Sequence, residues 1–351
     1  MDFGPRLTSA RGSMIRPLRL RHAALFLIAL SCVRAPYHHA RAASPTKKVE
    51  TDSALELSEP RTYRLKIVIR VDAPDGPVHN VVAEGPIPIE WQEQQLRLLE
   101  EKITPGARVT ESLLKGRAGL LKLQVKEIRQ GEFASVERLY EITRYRLHFA
   151  LPPEELLFAR QLSTSLREHL AANDPGVETK HPAFVKLARE LKTDDADAWD
   201  TVKGFWSWTR DNVKFSRGDY RGALFAMQEK CGDCEEMSVL FISLCRIAGI
   251  PSRSVWVEGH SYPEFYLNDA KGRGHWIPCQ VLGPAWFGEM SEYRPIFQKG
   301  DGFFDAITKK NLRYVPQSLK ADGGGPKPKL IIEHKIIADS DINGPGYKNS
   351  K

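Results

Sequence analysis

The chain has 351 residues, 42% hydrophobic, 27% charged and 9% aromatic, a composition of ordinary globular protein at a length that exceeds one small domain. Its formal charge is +7, but seven Arg and a single acid, Asp2, fall within residues 1–42, leaving 44 basic and 43 acidic residues in the remainder. That near-neutral remainder excludes the electrostatic case for a nucleic acid partner or an anionic surface.

Residues 1–42 read as a signal peptide. Arg16, Arg19 and Arg21 form a positive region, Ala23 to Val33 is an apolar stretch, and Ala40-Arg41-Ala42 supplies a small-x-small cleavage pattern before Ala43. The apolar stretch is shorter than the roughly 20 residues a membrane helix needs, and no later run approaches that length, so no transmembrane anchor is expected. Cys32 closes the stretch, but Ala29-Leu30-Ser31 before it fit a lipoprotein box poorly. The protein is therefore expected to be exported, to the periplasm or beyond the cell. Four cysteines remain, Cys231, Cys234, Cys245 and Cys279, too few for a disulfide framework in so long a chain.

Residues 43–150 predict a β-rich domain. Tyr63, Leu65, Ile67, Ile69 and Val71 alternate with Arg64, Lys66 and Arg70, and further strand-like runs cover Leu120 to Ile128 and Val136 to Phe149. Turn residues punctuate them at Pro74-Asp75-Gly76-Pro77, Pro105-Gly106 and Gln130-Gly131. This part lacks a cluster of His, Cys and acids, which points to a structural or substrate-presenting role.

After Pro152-Pro153 the period becomes helical. Leu156, Leu157, Ala159, Leu162, Leu166 and Leu170 form one apolar stripe; Phe184, Leu187, Ala188 and Leu191 a second; Trp199, Val202, Phe205, Trp206 and Trp208 a third. A Gly-rich connection leads to Cys231-Gly232-Asp233-Cys234 and then an apolar helix stopped by Gly249 and Pro251. Cys234 thus falls in a helical first turn, where free N–H groups favour a thiolate and should lower its pKa. Ser254 to Val257 and His260 to Leu267 read as strands, with His275 to Gln280 as a hairpin partner. A period of two places His260, Tyr262, Glu264 and Tyr266 on one face, and Trp276, Pro278 and Gln280 on one face of the partner, while His275, the rival histidine, points away. A helix-start Cys, a strand His and a polar strand residue can therefore converge, as a Cys nucleophile with its base requires.

The C-x-x-C pair also allows other readings: a redox dithiol, a disulfide, or half a zinc site. Zinc fails on geometry, because Cys245 lies roughly 16 Å along the same helix from Cys234 at about 1.5 Å rise per residue. Cys279 would add only a third thiolate, so no metal and no cofactor is expected. Cys231 can pair with Cys234 or Cys279, and pairing with Cys234 would switch the nucleophile off. Beyond residue 318 come a linker at Gly323-Gly324-Gly325-Pro326, a last strand from Leu330 to Ile337, and a tail in which Asp339 to Gly344 matches only the first half of a calcium loop.

The run GDCEEMSVLFISLCRIAGIPSR, then His260-x-Tyr262-x-Glu264-Phe265-Tyr266 and Gly274-x-Trp276-x-Pro278-x-Gln280, resembles the core of the transglutaminase-like superfamily. The resemblance implies an α+β fold, a papain-like core of helices packed on an antiparallel sheet, over residues 151–318, preceded by the β-rich domain and followed by the linker, strand and tail of 319–351. It implies Cys234 as nucleophile, His260 as general base and Gln280 at the position where the family usually has Asp. Gln can orient the imidazole but cannot offer an imidazolium a full negative charge. Gln228-x-x-Cys231-Gly232-x-Cys234 resembles the stretch of papain-like proteases whose Gln helps hold the oxyanion, making Gln228 and the Cys234 N–H the candidate donors. Tyr262, Glu264 and Trp276 are candidates to line the cleft. The implied activity is cysteine-dependent acyl transfer on protein or peptide amides, a cell-envelope peptide among them, ending in hydrolysis or amine transfer. A catalytically impaired binding module and a C-x-x-C redox protein are the alternatives.

Overall fold

The computed structural model describes residues 51–172, 176–192, 197–323 and 325–337. The expected signal peptide and the half calcium loop lie outside them. Six strands come first: β1 (Leu55–Asp72), β2 (Val78–Ile87), β3 (Gln94–Ile103), β4 (Arg108–Leu114), β5 (Ala118–Ile128) and β6 (Phe133–Phe149). The helical stretch holds α1 (Thr164–Arg167), α2 (Pro182–Leu191), α3 (Ala198–Asn212), α4 (Ala223–Glu229) and α5 (Cys234–Ile247), with the two-residue strands β7 (Lys214–Phe215) and β8 (Cys231–Gly232) among them. There follow β9 (Ser252–Val257), β10 (His260–Asn268), β11 (Gly274–Pro278), β12 (Glu289–Met290), β13 (Ile296–Lys299), β14 (Phe303–Asp305), β15 (Lys310–Leu312), β16 (Ser318–Lys320) and β17 (Lys329–Ile337).

The fold is α+β, with antiparallel sheets, few helices and a mostly β N-terminal region. One sheet runs β12-β6-β1-β17, with β3 also on β6; the larger runs β11-β10-β9-β13-β5-β2-β16, with β4 on β5. The alternation of β1 explains their packing. Tyr63, Leu65, Ile67, Ile69 and Val71 are buried and meet Val81 and Ala83 of β2, Leu121 and Leu123 of β5 and Phe297 of β13, so the two sheets share one core. Each such aliphatic side chain contributes roughly 1.5–3 kcal/mol. β17 closes the smaller sheet in register with β1, and its Leu330, Ile332 and Ile336 pack on the same core. The larger sheet is continuous through β13, which pairs with β9 on one side and with β5 on the other.

A second core forms where α2, α3, α4 and α5 cover β10 and β11. Every residue of α5 from Glu236 to Arg246 is buried, and Phe241 meets Phe265 of β10 with ring centres 6.4 Å apart. The second and third predicted stripes are α2 and α3. The first is not one helix: Leu157 exchanges main-chain hydrogen bonds with Asn268 at the sheet, and only α1 and two short 3-10 turns, Pro153–Glu155 and Glu168–Leu170, form across it. Strand pairing with a distant residue outcompetes the local helical period there.

The end of α5 is tied to the sheet by a buried cation. Gly249 ends the helix at φ 81°, a conformation that favours glycine, and turns the chain into β9. Arg246 donates to the Ser252 carbonyl at 2.8 and 3.0 Å and to Ala171 at 2.5 Å, and pairs with Asp301, which is 2% exposed. Removing one partner of such a pair leaves a buried charge, so Asp301→Ala should cost about 3–5 kcal/mol in urea unfolding, with Asp301→Asn costing less. A loss below about 1 kcal/mol would mean that the carbonyls alone satisfy Arg246.

Candidate active site

Helix α5 begins at Cys234 because its own sequence caps it. The Asp233 carboxylate accepts the main-chain N–H groups of Glu235 at 2.8 Å and Glu236 at 3.1 Å, and the Glu236 carboxylate accepts the Asp233 N–H at 3.0 Å, a reciprocal capping box. Arg221 braces Glu236 from the preceding loop, with Nε at 3.1 Å and its main-chain N–H at 2.8 Å. Gly232 fits where a Cβ would come 2.9 Å from the Glu236 side chain. Cys234 is thereby the first helical residue, its carbonyl accepting from Ser238 Oγ at 2.6 Å.

Strand β10 passes that helix start. The Ser261 carbonyl takes Ser238 Oγ at 3.4 Å, and the Ser261 main-chain N–H faces the Cys234 sulfur closely enough to favour its thiolate. His260, the first residue of β10, immediately precedes Ser261, and Asp233 and Arg294 act on both its ring and the thiol. Its Nε2 lies 3.2 Å from Gln280 Oε1 and 3.0 Å from Gln280 Nε2, so Nδ1 is the ring nitrogen that Gln280 does not hold. The structure thus brings Cys234, His260 and Gln280 into one neighbourhood. The main chain of Gln280 is itself held on both sides: its N–H donates to Trp286 O at 2.8 Å, and its carbonyl accepts Trp206 Nε1 at 2.8 Å and Arg210 Nη1 at 2.9 Å. Trp206 stood in the sequence only as part of an apolar stripe, although a half-buried indole N–H needs an acceptor and so carries a signal of its own.

The electrostatics reverse one expectation. Burial pushes the Cys234 thiol up rather than down; the Ser261 N–H works against this, and Asp233 and Glu235 add to it. The free N–H groups that would have favoured a thiolate are already taken by Asp233, which brings a negative charge beside the sulfur. His260 moves the other way: burial and the cation of Arg294 push it down, against Glu292, Gln280 and Asp233. Arg294 grips the Glu292 carboxylate at 2.5 and 2.8 Å and donates to Glu258 O at 3.0 Å, in the turn that leads into β10. Both opposing shifts favour a neutral thiol beside a neutral imidazole near pH 7.

The remaining predicted site residues are placed as follows. Trp276 is half-buried, with the Arg253 guanidinium 3.9 Å over its ring and His169 and Tyr266 at its edge. Tyr262 and Glu264 share a face, as expected, but that face turns away from α5 into the interior. Tyr262 is fully buried with Ile89, Trp91, Val255 and Val257, and Glu264 bonds Lys299 at 2.6 Å and Arg253 at 2.7 Å. Phe265 and Leu267, on the alternate face, are the residues that meet the α5 core. Gln228 is exposed at the end of α4. His275 lies apart from the pair, buried and bonded through Nδ1 to Asp52 at 2.8 Å, with Asp269 3.5 Å from Nε2. Cys231, Cys234, Cys245 and Cys279 are all free, Cys245 and Cys279 being fully buried. Among the described residues, no group of three or more His, Cys, Asp or Glu is placed to hold a metal ion, and no helix is long and apolar enough to cross a membrane.

Residues 185–281, which include Cys234, His260 and Gln280, match the family model of the transglutaminase-like superfamily. This segment is a transglutaminase-like domain. The solved structure of a candidate cysteine protease from Cytophaga hutchinsonii shares the fold at 15% identity, with a TM-score of 0.51 over 84% of this chain and 96% of that one. The periplasmic domain of TgpA from Pseudomonas aeruginosa aligns at 14% identity and a TM-score of 0.31, over 64% of this chain and 93% of that one. No curated protein matches the chain in sequence.

Two titrations follow from this geometry. Iodoacetamide labelling of Cys234 should rise with a midpoint above the free-thiol value of about 8.5, and Asp233→Asn should lower that midpoint by removing the adjacent carboxylate. A wild-type midpoint well below about 8 would show that a thiolate–imidazolium pair overcomes burial. For His275, burial disfavours the charge, but the bonds and charges of Asp52 and Asp269 outweigh it and the pKa is raised. Its contribution to stability is then full below the unfolded value of about 6.5 and lost as pH rises through the higher folded value. Asp52→Asn should reduce that pH dependence in urea unfolding measured across the window, leaving only the part due to Asp269.

Proposed function

We propose that this protein is an exported, cysteine-dependent enzyme that acts on protein or peptide amides through a thioester at Cys234. The observation that carries the reading is the His260–Gln280 contact through Nε2, on the strand whose Ser261 carbonyl meets Ser238 one turn into the helix that Cys234 opens. In the first step His260 Nδ1 accepts the thiol proton as the sulfur attacks the amide carbonyl. The C–S bond forms, and the Cys234 N–H, which the Asp233 carboxylate does not occupy, stabilises the oxyanion. The imidazolium then protonates the leaving amine as the C–N bond breaks. Water or a primary amine, deprotonated by His260, cleaves the thioester and restores the thiol. Hydrolysis is the favoured outcome, since water is always present and the family match covers the core alone. Gln228 is kept as a second oxyanion donor only if its helix end shifts when substrate binds, because at rest it faces solvent. Export rests on the character of residues 1–42, and a cell-envelope peptide is the substrate consistent with that location.

The second reading, a binding module of the same fold without turnover, is favoured by the electrostatics of these residues. The thiol is pushed up, the imidazole is pushed down, and an amide stands where a carboxylate would hold the ring charged.

Incubating the reduced protein with a mixture of short peptides and hydroxylamine should yield hydroxamates. A Cys234 acyl adduct should appear by mass spectrometry and vanish in Cys234→Ala, and His260→Ala should slow product formation by about 100-fold to 10,000-fold. Gln280→Glu should raise the rate, because a carboxylate holds the proton on Nε2 and leaves Nδ1 as the base. Absence of any adduct, with labelling of Cys234 indifferent to His260→Ala, would establish the binding module instead.

A further inference from the structure

We propose that Trp206 and Arg210 of α3 are positioning residues that aim the Gln280 amide at His260. The inference rests on the reading of Cys234 and His260 as the reacting pair. Gln280 lies beyond the end of β11, next to the antiparallel bridge of Cys279 with Phe287, and its side chain must present one amide edge to a single ring nitrogen. Its carbonyl receives two donors from one helix, Trp206 Nε1 at 2.8 Å and Arg210 Nη1 at 2.9 Å, one turn apart. Arg210 also spans the following turn, donating through Nη2 to Gly283 O at 3.0 Å and through Nη1 to Pro284 O at 3.3 Å. The Trp206 ring lies 5.2 Å from Phe287, and the Arg210 guanidinium sits 5.0 Å over the Trp206 ring, so each donor stiffens the other.

This anchoring matters more for an amide than for a carboxylate. Either oxygen of an Asp would accept the Nε2 proton, whatever its rotation. Gln280 offers Oε1, which accepts from a protonated Nε2 and frees Nδ1 to act as base, or its NH2, which donates to a bare Nε2 and places the proton on Nδ1. Only the first arrangement leaves Nδ1 able to take a proton from the thiol. A main chain held at N–H and carbonyl limits the amide to a narrow range of positions, and the α3 clamp supplies the carbonyl half of that hold. The charged groups acting on the same ring are Arg294, Glu292 and Asp233, none of which belongs to α3.

The test is the 15N NMR titration and tautomer ratio of His260 in the full chain, in wild type, Trp206→Phe, Arg210→Met, Gln280→Ala and the two double variants with Gln280→Ala. Trp206→Phe keeps a ring against Phe287 while removing the donor. The expected result is that each clamp variant shifts the His260 titration and tautomer ratio in the same direction as Gln280→Ala. Adding Gln280→Ala to either should change them no further, and Arg210→Lys should restore part of the wild-type ratio. Hydroxamate formation should fall on the order of 100-fold in Trp206→Phe. A His260 titration unchanged in both clamp variants, with Gln280→Ala shifting it, overturns the proposal, as does strict additivity in the double variants. Should either variant fail to fold, the wild type still decides. A Trp206 indole proton protected from exchange and moving as His260 titrates supports the clamp, and one exchanging freely overturns it. Failure of the enzymatic reading is separate: it appears as absent hydroxamate in the wild type, whereas the His260 titration needs no turnover.

Discussion

The first turn of the buried helix α5 is satisfied from its own sequence, and that capping places the Asp233 carboxylate beside the thiol the helix presents while Glu236 takes the Asp233 N–H. The same capping box that fixes Cys234 at the first helical position occupies the N–H groups that would otherwise stabilise a thiolate. Precision of placement and ease of ionisation are therefore in opposition here, and burial tips the balance toward the neutral thiol. His260 is pushed the other way, its burial favouring the neutral imidazole.

The scaffold serves this arrangement from two directions. On one side the helical layer packs on β10 and β11, with Phe241 and Phe265 in contact and Arg246 tying the helix end to Asp301 and Ser252. On the other, β10 shares the larger sheet with strands from the N-terminal part of the chain, through β13 and β5. Between the sheets, Lys299 bridges Glu93 and Glu264 at 2.6 Å each, a buried ionic group that joins β10 to the segment before β3. Such a group adds little net stability over apolar packing, but it tolerates few alternative registers. The strand carrying His260 is thus fixed by pairing, by apolar contact and by charge.

Much of the local structure around these residues was legible because its signals are local. Asp233 and Glu236 at the start of an apolar run mark a helix start, Gly249 and Pro251 mark its end, and alternation through His260 to Leu267 marks a strand. The errors arose where a local pattern was overruled by a distant partner. Leu156 to Leu170 has a helical period, yet Leu157 pairs with Asn268. Alternation grouped Tyr262 and Glu264 with His260, but periodicity cannot say which face meets the helix, and both side chains enter the interior instead. Trp206 looked like core, and Arg294 and Glu292 had no motif at all, since their importance comes from folding back beside the turn that leads into His260.

By itself the sequence determined the chemistry on offer: one cysteine at a helix start, one histidine opening a strand, and an amide where a carboxylate is usual. It also determined the α+β class, because capping, alternation and helical period are properties of neighbours along the chain. Tertiary structure alone decided the electrostatic surroundings of Cys234 and His260, the placement of the Gln280 amide against His260 and the inward turn of Tyr262 and Glu264. Each of those depends on burial and on charges from residues tens to hundreds of positions away, Trp206 and Arg210 for Gln280 and Lys299 and Glu93 for Glu264. Desolvation and long-range contact have no counterpart in the order of residues until the chain has folded.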